Sequence, residues 1–466
     1  MSKNNRLVHF GIGAFHRGHQ AYYLKLLNEQ LQEADRWYYT DVNLRDDTRH
    51  IPDALKKQQG IYHFKRIAPD GAAQYIQIDS IDRVEDASAD PSVIERIFND
   101  SAVKALTITV TEAGYYLTDS DDLNLDNHEV SHDVAVIRQG SGQPKTLFGY
   151  LALALLTRKK MHDGAITVAT CDNLRDNGKR LEKAFFQFVN AAEFNTLSNW
   201  ISDNVTFPCS MVDRITPVPP QSLAAEVKQY TGIDDACPIM GEDFEQWVIE
   251  DKLATAFPPL EKVGVTFTNK VHAFEEAKIR ILNGGHFLLS YVGALRGYQT
   301  YDENVRDAEL NEWLKQYHQN EVIPTIYDRP FDLEAYREII ISRFSNAYIA
   351  DSIERIAMDS ISKFPQFILP TVKLNLERNH IPTAAMRLIA HWYCFLALNI
   401  SGRFTFNYKD PYLAAAQRWM EHADPIDAFL KDPNIWQGLN QRYPLFAESL
   451  ATQIMQTLDE YQERYP

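Results

Sequence analysis

The stretch Glu275-Glu276-Ala277-Lys278-Ile279-Arg280-Ile281-Leu282-Asn283-Gly284-Gly285-His286-Phe287-Leu288-Leu289-Ser290-Tyr291 restricts the fold more than any other. It reads as a helix. At about 100° per residue, its apolar side chains Ile279, Ile281, Leu282, Phe287, Leu288, Leu289 and Val292 go all the way round. A helix without a polar face has to be buried, so other elements must enclose it. Yet Glu275, Lys278 and His286 fall within roughly 80° of one another, with Asn283 roughly 60° beyond His286. Buried polar groups need partners, and a buried lysine is the type whose pKa falls toward neutrality. Lys278 is therefore a candidate general base.

The sequence before this stretch mixes strands and helices. Arg6 to Phe10 reads as a buried strand, followed by Gly11-Ile12-Gly13-Ala14-Phe15-His16-Arg17-Gly18-His19 and a helical pattern through Leu31. Such a turn lets backbone N–H groups meet a pyrophosphate at the helix N-terminus. His16 stands where a third glycine is usual, and a tight strand–helix turn with no ligand is the alternative. Trp37 to Leu44 reads as a second strand ending at Arg45-Asp46-Asp47. An acid there holds a ribose hydroxyl and repels a 2′-phosphate, which favours NAD; Arg45 and Arg49 weigh against this, and both aspartates also suit a solvated loop. Ile61 to Ile67 and Ala73 to Ile78 alternate around Pro69-Asp70-Gly71, the pattern of an inserted hairpin. Pro91 to Asn99 reads as a helix with a proline start. Val103 to Val110 has the composition of a central parallel strand, so Thr111, Glu112 and Gly114 either face a cofactor or simply end the strand. After a further strand, Ala165 to Thr170, come Cys171-Asp172-Asn173. Asn173 either donates to a substrate oxygen or, with Asp172, caps a helix over Gly178 to Phe188. Asp213 and Arg214 sit inside an apolar, proline-bounded run, which argues for burial over a surface ion pair. Ser222 is placed to cap a helix from Leu223, Pro238 to Asp251 looks like an extended edge segment, and Val263 to Thr268 reads as a short strand. From about Phe274 the pattern is nearly all helix, which places a domain boundary between residues 1–273 and 274–466.

A chain of 466 residues exceeds one core. The net charge of −16 argues against nucleic acid or an anionic membrane surface as partner. Apolar runs are too short to span a bilayer. Cys171, Cys209, Cys237 and Cys394 are scattered, as suits a reducing cytoplasm. Met-Ser-Lys-Asn-Asn-Arg leads straight into a strand without the features of a signal peptide. The acidic surface and helical second half suit a monomer. No tyrosine has a lysine four residues later, and no Cys/His/Glu cluster has the spacing of a catalytic zinc site. That leaves a metal-free scheme. Neutral Lys278 takes a hydroxyl proton as hydride moves to a nicotinamide, and Asn283 and Asn173 hydrogen-bond the developing alkoxide. A buried Lys278–Glu275 salt bridge is the alternative.

The turn Gly11-x-Gly13-x-Phe15-His16-Arg17-x-His19, Thr109-x-Thr111-Glu112-x-Gly114-Tyr115, Cys171-Asp172-Asn173, Met211-Val212-Asp213-Arg214-Ile215-Thr216-Pro217 and Lys278-x4-Asn283-x2-His286 occur in this order across nearly the whole chain. Together they resemble the polyol-specific long-chain dehydrogenases, the mannitol dehydrogenase family. The resemblance implies an α/β N-terminal Rossmann-type domain with insertions, followed by a mainly α-helical C-terminal domain that binds substrate without a metal. It implies Lys278 as the base and Asn173 and Asn283 as the groups polarising the substrate oxygen. His286 and Asp213 would position substrate, and Glu275 would serve a proton path to solvent. Arg355 and Lys363, within Glu354-Arg355 and Ser362-Lys363-Phe364-Pro365, would bind substrate. The expected cofactor is NAD, held by Gly11, Gly13, Ala14, Phe15, His16, Arg17, Asp47, Thr111 and Glu112. Glu276 to Asn283, Gly232-Ile233-Asp234-Asp235 and Met240-Gly241-Glu242 look nearest to the D-arabinitol 4-dehydrogenase branch, which implies oxidation of D-arabinitol to D-xylulose. Mannitol 2-dehydrogenases and the fructuronate and tagaturonate reductases share the same catalytic set. A silent dinucleotide-binding sensor is the reading from a different class.

Overall fold

The computed structural model describes residues 5–118, 120–161 and 164–465, so the first four residues of the expected leader-free start lie outside it. The described strands are β1 (Arg6–Phe10), β2 (Tyr38–Asn43), β3 (Tyr62–Ile67), β4 (Ala73–Ile78), β5 (Ile81–Asp86), β6 (Val103–Ile108), β7 (Ile166–Thr170), β8 (Val205–Thr206), β9 (Ser210–Asp213), β10 (Ile239–Glu242), β11 (Gln246–Ile249) and β12 (Thr266–Phe267). Six of them form one sheet in the order β5-β2-β1-β6-β7-β8, with every pairing parallel. This is the doubly wound order of a Rossmann sheet. Its two halves diverge between β1 and β6, and that point opens a crevice beyond the carboxyl ends of the strands.

The apolar pattern explains the order. β1 is buried along its whole length. Val8 and Phe10 enter one core with Val42, Leu106, Ile108 and Val168, while Leu7 enters a second core with Tyr39 and Ala105. Alternate residues of a strand point to opposite faces, so a strand apolar on both faces needs helices on both sides.

Outside this sheet, β3 and β4 form the expected hairpin, in register from Tyr62 opposite Ile78 to Ile67 opposite Ala73. β10 runs parallel to β3, and β11 lies between β9 and β12 in a third sheet. The segment Pro238 to Asp251 is thus two strands, of which β10 is an edge and β11 is flanked on both sides. The strand expected from Val263 shrinks to two residues, because Leu260–Val263 closes as a 3₁₀ turn at Gly264, where φ is +95°.

The second half is helical. Its centre is the Gly284–Arg296 helix, buried almost throughout, against which Ile353–Ala357, Ser360–Phe367 and Thr383–Ile400 pack. Thr383–Ile400 in turn pairs with Pro444–Arg464. The helical pattern past Tyr301 is broken at Asp307, whose carboxylate accepts from Glu309 N and Leu310 N and starts a new helix there. By its contacts the chain divides into two compact units. One comprises residues 1–68 and 72–272, the other residues 69–71 and 273–466. Among the described residues no helix is long and apolar enough to cross a membrane.

Gly11 ends β1 at φ +98°, and a Cβ built on it would lie 1.9 Å from the Thr109 carbonyl oxygen. Only glycine lets the β1 and β6 ends meet there. Gly11→Ala is expected to destabilise the protein by about 3 kcal/mol or more, or to prevent folding. Thermal unfolding checks this, and a melting temperature equal to the parent's would contradict the reading.

Candidate active site

The turn after β1 is held by Gly11 N donating to Val42 O at 3.0 Å, while Thr109 N donates to Phe10 O at 2.9 Å. Gly13 has an ordinary backbone, φ −66° and ψ 172°, and a Cβ built on it would meet nothing within 4 Å. Its lack of a side chain thus leaves open space over the turn. The helix Ala14–Gly18 starts there with no side-chain cap and no acid in its first turn. An uncovered glycine followed by free helical N–H groups fits a pyrophosphate, whose oxygens need donors and close approach.

His16 and Arg17 direct their side chains inward. The His16 ring stacks on His9 with centroids 3.4 Å apart, and its Nε2 lies 3.2 Å from Asp41 Oδ1. Arg17 Nη1 donates to Cys237 O at 2.6 Å, and its guanidinium lies over the Tyr62 ring. What these two residues offer at the turn is backbone. Asp47 is exposed and engaged by Arg45, whose Nε and Nη2 donate to its two carboxylate oxygens at 2.9 and 2.6 Å. That pairing holds the Asp47 carboxyl below the usual range. Asp46 pairs with Arg49 at 2.6 Å.

Beyond β6, Thr111 sits at φ +65° and ψ 165°, a conformation that strains any residue with a side chain. Asp172, just past β7, holds it. Its carboxylate accepts from Thr111 N at 2.8 Å, Val110 N at 3.1 Å and the Tyr115 hydroxyl at 2.7 Å. Burial nevertheless pushes its pKa up to about 6. The alternative reading, helix capping by Asp172 and Asn173, is not what is found. Asp176 occupies the cap position of Asn177–Ala191, without a side-chain cap bond. Asn177 instead ties the loop to β9, donating to Asp172 O and Ser210 O and accepting from Ser210 N. Asn173 and Glu112 are exposed at these loops. Asp213 is buried at the end of β9, opposite Gln246. Arg214 is buried as expected. It donates to Gly18 O at 2.8 Å, Glu242 O at 3.0 Å and Glu245 Oε2 at 2.7 Å, with its guanidinium between the Tyr22 and Phe64 rings. Ser222 occupies the expected cap position but makes no cap bond.

In the helical unit the expected residues share one run. Glu275 lies in the last turn of the Val271–Ala277 helix, Lys278 and Asn283 bound a π-helical turn, and His286 follows in Gly284–Arg296. α-Helical pitch would set Lys278 and Asn283 roughly 140° apart. A π turn bonds i to i+5, so residues five apart come round to nearly the same side. Lys278, Glu275 and His286 are buried, and Asn283 is half-buried. The His286 ring packs between Tyr301 and Phe344, centroids 4.7 and 4.4 Å away. Arg280, inside the π turn, is fully buried. It donates to Glu276 Oε1 at 2.8 Å, Thr325 Oγ1 at 2.6 Å and Thr371 Oγ1 at 2.8 Å. Arg355 is exposed and clamps Asp351 at 2.7 Å, and Lys363 donates to Met358 O at 2.6 Å. Both lie on helices packed against Gly284–Arg296.

Two supporting residues escape sequence reading. Asp172 carries a signal, since an acid directly after a buried strand has backbone donors nearby to accept from. Arg280 carries one too, since a lone guanidinium on an all-round apolar helix requires several acceptors. The π turn itself leaves no mark in the apolar pattern.

Residues 5–262 match the family description "Mannitol dehydrogenase Rossmann domain", and residues 270–460 match "Mannitol dehydrogenase C-terminal domain". The chain is 38% identical over 438 residues to D-arabinitol 4-dehydrogenase of Ralstonia nicotianae, an alignment covering 94% of this chain and 93% of the relative. Among solved structures it is similar to mannitol 2-dehydrogenase of Pseudomonas fluorescens in ternary complex with NAD and D-mannitol. There the TM-score is 0.83 and the identity 31%, covering 99% of this chain and 95% of that one. It is likewise similar to a D-sorbitol dehydrogenase in substrate-free form, with a TM-score of 0.86 and 33% identity over 98% of this chain and 93% of that one.

The raised pKa of Asp172 carries a pH dependence. The folded protein keeps a proton there that the unfolded chain has lost, so stability from this group is fully present below about pH 4. It is lost as pH rises through about 6, up to about 3 kcal/mol in all. The stability difference between the parent and Asp172→Asn should therefore narrow as pH rises from 4 to 7. Circular dichroism melts across that range check it; a constant difference is the contrary result.

Proposed function

The chain belongs to the mannitol dehydrogenase family, and from that premise we propose that it oxidises a secondary alcohol of a linear polyol to a ketose with NAD. The substrate we assign is D-arabinitol, giving D-xylulose. The observation that carries the reaction is the π turn, which brings a buried amine, Lys278, and a carboxamide, Asn283, round to nearly the same side. The substrate assignment is supported by the likeness to D-arabinitol 4-dehydrogenase.

Bound NAD supplies the hydride acceptor. Lys278, uncharged in the reactive state, takes the proton of the hydroxyl being oxidised through Nζ. A positioned base of this kind is worth about 10²- to 10⁴-fold in rate. As the oxygen gains negative charge, Asn283 and Asn173 donate hydrogen bonds to it from their side-chain amides. Glu275, one helical turn before Lys278, passes the proton on toward solvent. His286 and Asp213 orient the polyol, and Arg355 and Lys363 bind its remaining hydroxyls. For the cofactor, Gly11, Gly13, Ala14 and Phe15, with the backbone of His16 and Arg17, receive the pyrophosphate. Asp47 takes a ribose hydroxyl beside Arg45, and Thr111 and Glu112 line the far side of the crevice between β1 and β6.

Three outcomes are expected. With NAD, D-arabinitol should give the highest kcat/KM in a panel with D-mannitol, and D-xylulose the highest with NADH in a panel with fructose and fructuronate. Absence of NADH formation from every polyol and of NADH consumption by every keto-sugar would refute the reaction. Lys278→Ala should lower kcat by about 10²- to 10⁴-fold while leaving NAD affinity intact, as read by steady-state kinetics and calorimetry. Gly13→Ala should melt like the parent yet bind NAD about tenfold or more weaker, about 1.4 kcal/mol, because its methyl group enters ligand space and not protein. Unchanged affinity would remove the turn from the cofactor site.

A further inference from the structure

A π turn replaces i→i+4 bonds with i→i+5 bonds; at the end of this one Gly284 N is shared between Ile279 O and Ile281 O, so a partner from outside the helix strengthens the hold on Ile281 O. The Lys278–Asn283 turn has such a partner. His318 Nε2 lies 2.9 Å from the carbonyl oxygen of Ile281, at the centre of the turn. A carbonyl only accepts, so Nε2 carries the proton and donates. His318 is fully buried, and burial together with the charge of Arg337 pushes its pKa down to about 3, so the ring stays neutral with this one N–H. Its other nitrogen, Nδ1, has no hydrogen-bond partner, which leaves the bond to Ile281 as the ring's one polar contact.

The approach of His318 is built into both segments. Gly284 and Gly285 follow the π turn, and a Cβ on them would lie 3.1 Å from Tyr317 Oη and 3.1 Å from His318 Nε2. The glycine pair thus forms a flat seat that lets a neighbouring element come within hydrogen-bond reach. That element is itself a π turn, Tyr317–Val322. It is anchored from its far side by Glu321, whose carboxylate accepts from Ala384 N at 2.7 Å and Ala385 N at 2.8 Å at the start of Thr383–Ile400. It leads directly into Thr325, a partner of Arg280. His318 and Thr325 of one segment therefore both meet the turn that carries Lys278 and Asn283, while Glu321 between them ties the segment to Thr383–Ile400.

We propose that His318 is a positioning residue for the reaction assigned above: by donating to Ile281 O it holds the π turn that aligns Lys278 with Asn283. The inference rests on the reading of Lys278 as base and Asn283 as oxygen donor. His318 touches neither substrate nor cofactor in this role. Without its hydrogen bond the turn can relax toward α-helical bonding, which rotates Asn283 away from Lys278.

The test uses the full-length protein with NAD and the polyol giving the highest turnover. His318→Leu is expected to lower kcat at least tenfold with KM changed less than threefold. The ionisation seen in the pH profile of kcat/KM should move by half a unit or more. His318→Gln, which places an amide donor near the same carbonyl, should recover most of kcat and the parent profile. Gly285→Ala, which crowds the His318 ring without removing it, should shift the profile in the same direction with a smaller loss of kcat, and it decides the matter if His318→Leu does not fold. NAD affinity by calorimetry should be unchanged in all three. A variant that melts lower but keeps the parent kcat and pH profile marks His318 as ordinary packing and overturns the proposal. Wild-type protein that turns over no polyol overturns it as well, through failure of the reaction itself, and the two failures are told apart by the wild type alone.

Discussion

A guanidinium with no access to water must have its charge answered inside the protein, and Arg280 is answered by a carboxylate and two hydroxyls from three separate segments. Leaving such a group unpaired costs several kcal/mol. The three partners therefore act as a lock, because none can move without exposing the charge to an apolar interior. Arg280 lies in the middle of the π turn, so the lock fixes the turn. His318 fixes it again from one residue further on. The apolar residues that encircle the helix give it burial, but burial alone does not choose between α and π bonding. Directional polar contacts make that choice.

The first unit applies the same logic to loops. Parallel strands end in turns whose backbone groups face a crevice, and a crevice gives little support. Asp172 supplies it with one buried carboxylate that meets three donors and holds Thr111 in a strained conformation. Arg214 does comparable work below the first helix, joining Gly18, Glu242 and Glu245 across separate elements. In both units the residues to which we assign chemical roles sit on backbone held by a buried charged side chain.

Much of this was legible in the sequence, and the remainder was not for identifiable reasons. The strands β1 and β6 and the Gly284–Arg296 helix follow from apolar periodicity, because burial on all sides has a simple signature. The hairpin around Pro69-Asp70-Gly71 follows from turn chemistry. The break at Asp307 was hidden because its flanking helices share a continuous pattern, and a cap is a single residue. The shortened β12 was hidden because a strand of two residues lies below any periodicity. The Lys278–Asn283 turn was hidden for a deeper reason. An i→i+5 turn changes which residues share a side, yet a helix apolar all round offers no stripe whose displacement could reveal it. The inward-facing side chains of His16 and Arg17 depend on His9, Asp41, Tyr62 and Cys237, which are brought near only by the fold.

The two glycines of the first turn are glycines for opposite reasons. At Gly11 a side chain is forbidden by the protein's own carbonyl, whereas at Gly13 nothing in the protein objects. The first constraint belongs to folding, and the second is the one we assign to the cofactor. Over evolutionary time they would come apart. A descendant that gave up its ligand and kept its fold would hold Gly11 and let Gly13 drift. The pair is thus a two-letter record of whether a lineage still uses the pocket, readable in any sequence that shares this sheet.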